Sequence, residues 1–430
     1  MSQHQEQYRR KLISAEEVVS LVKNGDQIWA PVGAGEPQTI FATIASNYKS
    51  LFNVTVNQIL PLKPFFAKKE MAPHIRYNSW FTSDINRTAV NEGWADFTAN
   101  NFHEVPKLLR LYWPVDIVMA SVSPMDKHGY FSLSLSVDYT FEAIKKAKMI
   151  ILEVNPNYPR TLGNCFVHIS QVDYIVESNA PVPILNIPPI TEVEQKIGEY
   201  IADLIEDGST LQIGFGGIPN AVTAALKNKK NLGIHTEMIT DGMVNLVEWG
   251  VVDNSRKTLH PGKVIGTFAI GTQRLYDFLD NNPMVEMHPV DYTNDPYIIG
   301  RNNQLVAINA SIEVDLLGQC CSESMGHYQW SATGGQADFF RGANISPGGK
   351  GFVTLASTAK NGTVSRIVPE LKPGAVVTTS KNDVDYVVTE YGVAKLRGKT
   401  ARERALELIN IAHPDFRAEL REAARKYNLI

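Results

Sequence analysis

Cysteine is scarce in this sequence. Cys165, Cys320 and Cys321 are the three in a chain of 430 residues, too few for a disulfide framework, so a reducing compartment is expected. No CxxC pair occurs, and adjacent cysteines do not easily share one ion, so no metal site is expected. Long hydrophobic runs are missing too: none approaches the roughly 20 residues that span a bilayer, and no membrane partner is expected. The opening MSQHQEQYRRK lacks the apolar stretch of a secretory leader. Cytoplasm is the expected location. Charge of one sign is also lacking. The 41 basic and 45 acidic residues leave a net charge of -4, without the basic face that nucleic acid requires. No GxGxxG stands in register after a strand, and no P-loop lysine follows a glycine turn. Nicotinamide dehydrogenases and P-loop nucleotide hydrolases are therefore disfavoured.

What is present is an ordinary globular balance, 44% hydrophobic and 20% charged, in a chain long enough for two or three domains. Apolar runs at 27–32, 116–121, 149–154, 211–215, 263–270, 304–308, 375–379 and 386–389 read as strands, several of them apolar on both faces as buried parallel strands are. Helical patterns lie between them. Ser14 and Glu17 form a capping-box pattern for a helix to Lys23, and Ile197, Ile201, Leu204 and Ile205 share one face of a helix over 193–206. Such alternation predicts an α/β protein.

One unit occurs twice. EEVVSLVKNGDQIWAPVGAGEP (16–37) and KIGEYIADLIEDGSTLQIGFGGIP (196–219) each run from amphipathic helix through a glycine turn and short strand to a glycine-rich loop ending in proline. Gly25 and Gly33 have the spacing of Gly208 and Gly216. Two similarly built halves follow, 1–185 and 186–430, parted in the Pro-rich stretch 181–189.

Chemistry concentrates in a few loops. GFGGIPNAV (214–222) follows a strand and opens a helix, so its first amides suit an anion or a developing oxyanion. GIHTEMITDG (233–242) carries Glu237 one helix further on. Consecutive strand ends of an α/β sheet lie side by side, so Glu237 is expected to face the amides of Gly217 and Ile218. A carboxylate beside such donors suits attack on an acyl carbonyl. His235 and Asp241 are read as orienting or packing residues, the latter within an Asp-Gly turn. TGGQADFFRGA (333–343) offers a second glycine pair, Gly334 and Gly335, with Gln336, Asp338 and Arg341 close by. Phe339 and Phe340 are read as core, and Lys350 and Lys360 as surface lysines within reach of phosphates. Asp126 and His128 in SVSPMDKHG read as a turn, Glu36 in GAGEP as lining a cleft between the halves, and His288 as structural.

Together these segments, with NDVDYVVTEYGVAKLRGKT (382–400), span nearly the whole chain and resemble the acetyl-CoA hydrolase/transferase family, the class I CoA-transferases. The likeness is greatest to 4-hydroxybutyrate CoA-transferases and their butyryl-CoA:acetate relatives. The resemblance implies two open α/β domains with largely parallel sheets, an active site in the cleft between them, and homodimers or larger homo-oligomers. It implies Glu237 as the catalytic residue, and Gly216, Gly217, Ile218, Pro219, Asn220, Gly334, Gly335 and Lys360 as contacts for CoA or the acyl oxygen. It further implies no permanently bound cofactor, with coenzyme A and acyl-CoA as substrates and small carboxylic acids as partners. The expected function is ping-pong CoA transfer between short-chain acids, 4-hydroxybutyrate or butyrate with acetate, through a glutamyl-CoA thioester. Acyl-CoA hydrolysis and succinyl-CoA:acetate transfer remain as alternatives.

Overall fold

The computed structural model describes residues 2–186 and 188–430, so Ile187, inside the Pro-rich stretch, lies outside them. The chain forms two compact units, Met1–Asn186 with Ile265–Thr293, and Ile187–Val264 with Asn294–Ile430. Ile265–Thr293 follows the second repeat in sequence yet packs with the first unit. Backbone bonds hold it there, from Val137 N to Thr267 O (3.0 Å), Ala269 N to Leu135 O (2.8 Å) and Asn164 N to Met287 O (2.9 Å).

The first unit is built on seven strands: β1 (Gln27–Trp29), β2 (Val54–Ile59), β3 (Ile75–Phe81), β4 (Ala95–Phe97), β5 (Ile117–Val122), β6 (Met149–Val154) and β7 (Tyr174–Glu177). They lie in the order β4-β3-β2-β1-β5-β6-β7, and every neighbouring pair is parallel. Helix α1 (Ala15–Leu21) starts at the Ser14–Glu17 capping box read from the sequence. Helix α2 (Gln38–Ser46) has Pro37 at its N-cap and no cap from its own segment. Glu153 on β6 supplies one instead, its buried carboxylate accepting from Thr39 N and Ile40 N (both 2.9 Å to Oε2).

The second unit repeats the plan. Its strands are β8 (Thr210–Ile213), β9 (Gly233–Ile234), β10 (Leu305–Ala310), β11 (Lys350–Thr354), β12 (Tyr386–Thr389) and β13 (Gly392–Lys395), in the order β9-β8-β10-β11-β12-β13. All pairs described are parallel except the β12-β13 hairpin. Its helices include α3 (Glu192–Asp203), α4 (Gly217–Ala225), α5 (Asp241–Glu248) and α6 (Gln336–Ile345).

The repeat seen in the sequence is thus a repeat of topology. In each sheet the strand of the repeated unit, β1 or β8, is interior, with the next strand on one side and a later strand on the other. That is the switch point at which doubly wound sheets bind ligands. All four repeated glycines take positive φ: Gly25 (89°), Gly33 (51°), Gly208 (83°) and Gly216 (129°).

Two strand expectations fail. The run 375–379 adds no strand to either sheet, meeting Cys320 through a single bridge at Thr379. The run 263–270 breaks into Val264–Gly266 and Phe268–Ala269. No helix among the described residues is long and apolar enough to cross a membrane.

Candidate active site

In the second unit the parallel register sets Thr210 beside Gly233 and Leu211 beside Ile234. The loop after β8 and the segment after β9 therefore leave from adjacent carboxyl ends. His235 N extends the pairing by donating to Leu211 O (3.0 Å). Buried Thr236 then turns the chain, its hydroxyl donating to Met238 O (3.2 Å), and Glu237 sits on that bend.

Two donors hold the Glu237 carboxylate. Asn294 Nδ2 donates to Oε2 at 2.7 Å, and the Gly335 backbone N–H is the second. Gly335 is the N-cap of α6, and Gly334 before it lies in the left-handed region (φ 55°). The approach at Gly335 leaves no room for a side chain. A Cβ there would stand 1.9 Å from Glu237 Oε2 and 2.4 Å from Asn294 Nδ2.

Burial pushes the Glu237 carboxyl up to about 7. The Asn294 and Gly335 bonds pull the other way, and the Asp338 carboxylate at the start of α6 adds to the rise. Active sites are one of the places where buried carboxyls are raised this far.

The other expected site residues divide. Gly216 is the N-cap of α4, and its φ of 129° suits glycine alone. Pro219 is buried in the first turn of α4, and Ile218 is half-buried beside it. Gly217 packs against Glu194, whose Oε1 would lie 1.7 Å from a Cβ at that position. Among the described residues the hydrogen bonds on the Glu237 carboxylate come from Asn294 and Gly335, and none joins it to the Gly217 or Ile218 amides. Among the described residues no hydrogen-bond partner is found for the buried Asn220 Nδ2. Lys360 stands exposed on the turn between Thr358–Ala359 and Val364–Ser365, and among the described residues no hydrogen bond or ion pair joins it to Glu237.

Both halves of one family are found in this chain. The acetyl-CoA hydrolase/transferase N-terminal domain matches residues 1–186 and the C-terminal domain residues 271–424. The chain belongs to the acetyl-CoA hydrolase/transferase family. It is 61% identical to the succinyl-CoA:cyclohexane-1-carboxylate CoA transferase of Geobacter metallireducens, over 99% of this chain and 98% of the relative. It is 50% identical to the 4-hydroxybutyrate coenzyme A transferase of Clostridium kluyveri, over 98% and 99%. The crystal structure of RipA from Yersinia pestis superimposes with a TM-score of 0.96 at 39% identity, covering all of both chains.

Within this family member, several polar residues noted in the sequence turn out to be structural. Asp126 accepts from His128 N (2.8 Å), Tyr130 N (3.0 Å) and Arg160 Nη2 (2.9 Å), which makes it the anchor of a turn. Lys350 is committed to Leu204 O (2.8 Å) and Glu206 Oε1 (3.1 Å). Phe339 and Phe340 are buried core. His235 is buried, with its ring 6.4 Å from that of Phe339. Asp241 opens α5 where an Asp-Gly turn was expected. Glu36 is fully buried and held by Gln38 Nε2 (2.8 Å) and Gln58 Nε2 (2.7 Å), with its carboxyl also raised to about 7 by burial.

Asn294 was the site residue missed. It ends the segment EMHPVDYTN, in which His288 drew attention as a ligand type. An asparagine after a threonine reads as loop, and only the fold shows that it reaches Glu237 across 57 residues.

Proposed function

We propose that this CoA-transferase moves CoA between short-chain carboxylic acids by a ping-pong route through a glutamyl-CoA thioester on Glu237. The observation that carries the reading is the pair of donors, Asn294 Nδ2 and Gly335 N–H, on a carboxylate raised to about 7. With Oε2 engaged, Oε1 attacks the acyl-CoA carbonyl. The thioester C–S bond breaks, CoA leaves as the thiolate, and an acyl-glutamyl anhydride remains. The thiolate then attacks the glutamyl carbonyl. The first acid departs as carboxylate, and Glu237 holds CoA as a thioester. During that attack negative charge develops on the Glu237 carbonyl oxygen, where the two donors are already aimed. The second acid reverses the sequence, regenerating the Glu237 carboxylate and a new acyl-CoA.

The acceptor is a small carboxylic acid. The 50% identity with the 4-hydroxybutyrate enzyme supports that acid, and the 61% identity with the cyclohexane-1-carboxylate enzyme supports a cyclic one as a second reading. Initial rates with acetyl-CoA or succinyl-CoA and a panel of acids test both. Parallel double-reciprocal lines support the ping-pong route. CoA released at the same rate with and without added acid would instead make the protein a hydrolase.

A pH dependence follows. The nucleophile is the ionised carboxylate, and Glu237 is mainly protonated below about 7. In the free enzyme kcat/KM therefore rises about tenfold per pH unit below that value and levels off above it. A profile already flat at pH 5 would contradict a carboxyl raised by its surroundings.

A further inference from the structure

A second buried glutamate lies within reach of the Gly334–Gly335 turn and takes no part in the chemistry above. Glu323 is 4% exposed and follows the short strand Cys320–Cys321. Its Oε2 accepts the Thr333 hydroxyl at 3.0 Å, and the Thr378 hydroxyl also donates to its carboxylate. Its backbone carbonyl accepts from Trp330 N (2.8 Å) and Ser331 N (3.0 Å).

The platform beneath is fixed as well. Thr378 Oγ1 accepts from Ser322 N (2.9 Å), and Thr378 N and Thr379 N donate to Cys320 O (2.9 and 3.2 Å). On the far side of the turn, Gln336 Nε2 donates to Thr379 Oγ1 (3.0 Å), and Gln336 N to Thr333 O (3.4 Å). Residues 331–336 are thus tied at both ends to one platform, and the product of that bracing is the single N–H that Gly335 offers to Glu237. Enclosing a carboxyl group to brace a turn is expensive, and apolar packing would hold the chain together as well. What apolar packing does not give is the fixed angle and distance that an oxyanion donor needs.

We infer that Glu323 is a positioning residue for the transfer reaction: through Thr333 it fixes the turn that delivers the Gly335 N–H to Glu237. This rests on the glutamyl-thioester reading above. No substrate contact is assigned to Glu323 itself.

The test compares the full-length wild type with Thr333→Val, Thr333→Ser, Glu323→Leu and the double variant Glu323→Leu/Thr333→Val. Acetyl-CoA is the donor and butyrate the acceptor, and kcat is expressed per Glu237 trapped as thioester. Valine is isosteric with threonine, so Thr333→Val preserves the fold even where Glu323→Leu fails to accumulate. We expect Thr333→Val and Glu323→Leu each to lower kcat per trapped site by about tenfold to a hundredfold, the cost of a small misplacement, with each KM within about twofold of wild type. Thr333→Ser restores most of the rate. The double variant is no slower than the worse single variant, because both remove one link. A merely structural role would lower the number of trapped sites and the melting temperature but leave kcat per site unchanged, and that result overturns the inference. Multiplicative losses in the double variant overturn it too. If the wild type itself forms no thioester, the mechanism falls first and takes this inference with it. If the wild type forms the thioester and Thr333→Val matches its rate, the inference alone falls.

Discussion

Glu237→Gln will abolish CoA transfer. Removing the nucleophile from a covalent mechanism costs roughly ten-thousandfold to a millionfold in kcat. The substitution is close to isosteric. Asn294 Nδ2 and the Gly335 N–H can still donate to the remaining carbonyl oxygen, so the fold and the surrounding loops stay in place. An amide is neither a nucleophile toward a thioester nor able to carry CoA through an anhydride. Acyl-CoA affinity, measured by calorimetry, should change by no more than a few-fold, because the substitution keeps the side chain's shape and its two hydrogen bonds. Transfer within tenfold of wild type would mean that the nucleophile lies elsewhere.

Gly335→Ala is expected to have the next largest effect. The backbone there has φ -96° and ψ 5°, a bridge-region conformation that L-residues also adopt, so the position does not need glycine for a positive φ. Its effect is local and steric. The new methyl would stand 1.9 Å from Glu237 Oε2 and 2.4 Å from Asn294 Nδ2, so the carboxylate and its donors must part. A lost oxyanion donor costs roughly a hundredfold to a thousandfold in kcat. The loss should fall on kcat rather than KM, and the melting temperature should shift by only a few degrees. A variant with normal kcat would show that the Gly335 N–H is not used in the transition state.

Much of the second unit was legible because its chemistry is local. The glycine loop, the bend at Glu237 and the Gly334–Gly335 pair each sit at a strand or helix end, where residue type and backbone conformation are tightly linked. Strands β2 and β3 were harder to read. They carry Asn57, Gln58, Asn78 and Ser79, all buried, and no apolar rule finds them. In the structure those groups find partners on neighbouring strands and on the loops beside them. Asn78 Nδ2 donates to Asn57 Oδ1 (2.8 Å), Asn57 Nδ2 to Gln27 Oε1 (3.0 Å), and Asn86 Nδ2 to Ser79 Oγ (3.0 Å). Polar residues become acceptable in a core once strand order supplies their partners, and strand order is not written in any one segment. Strand β11 was hidden for another reason: its residues Lys350 and Gly351 looked like the end of a glycine-rich loop.

Asn294 belongs to the same class. The residues just before it, Ile265–Thr293, pack with the first unit, and its partner Glu237 lies 57 residues earlier. The sequence marks Glu237 through its own loop. It does not mark the amide that holds Glu237, because that contact exists only in the fold.

The central claim is a covalent bond between CoA and one side chain. Wild-type protein incubated with acetyl-CoA, or with succinyl-CoA or butyryl-CoA, is treated with borohydride, which reduces a glutamyl thioester to the alcohol, and the digested peptides are read by mass spectrometry. The account predicts a reduced Glu237 in the peptide containing HTEM, lost when excess free acid is present to accept the CoA. Acyl-CoA turnover with Glu237 left unmodified, or modification at another residue, would contradict it.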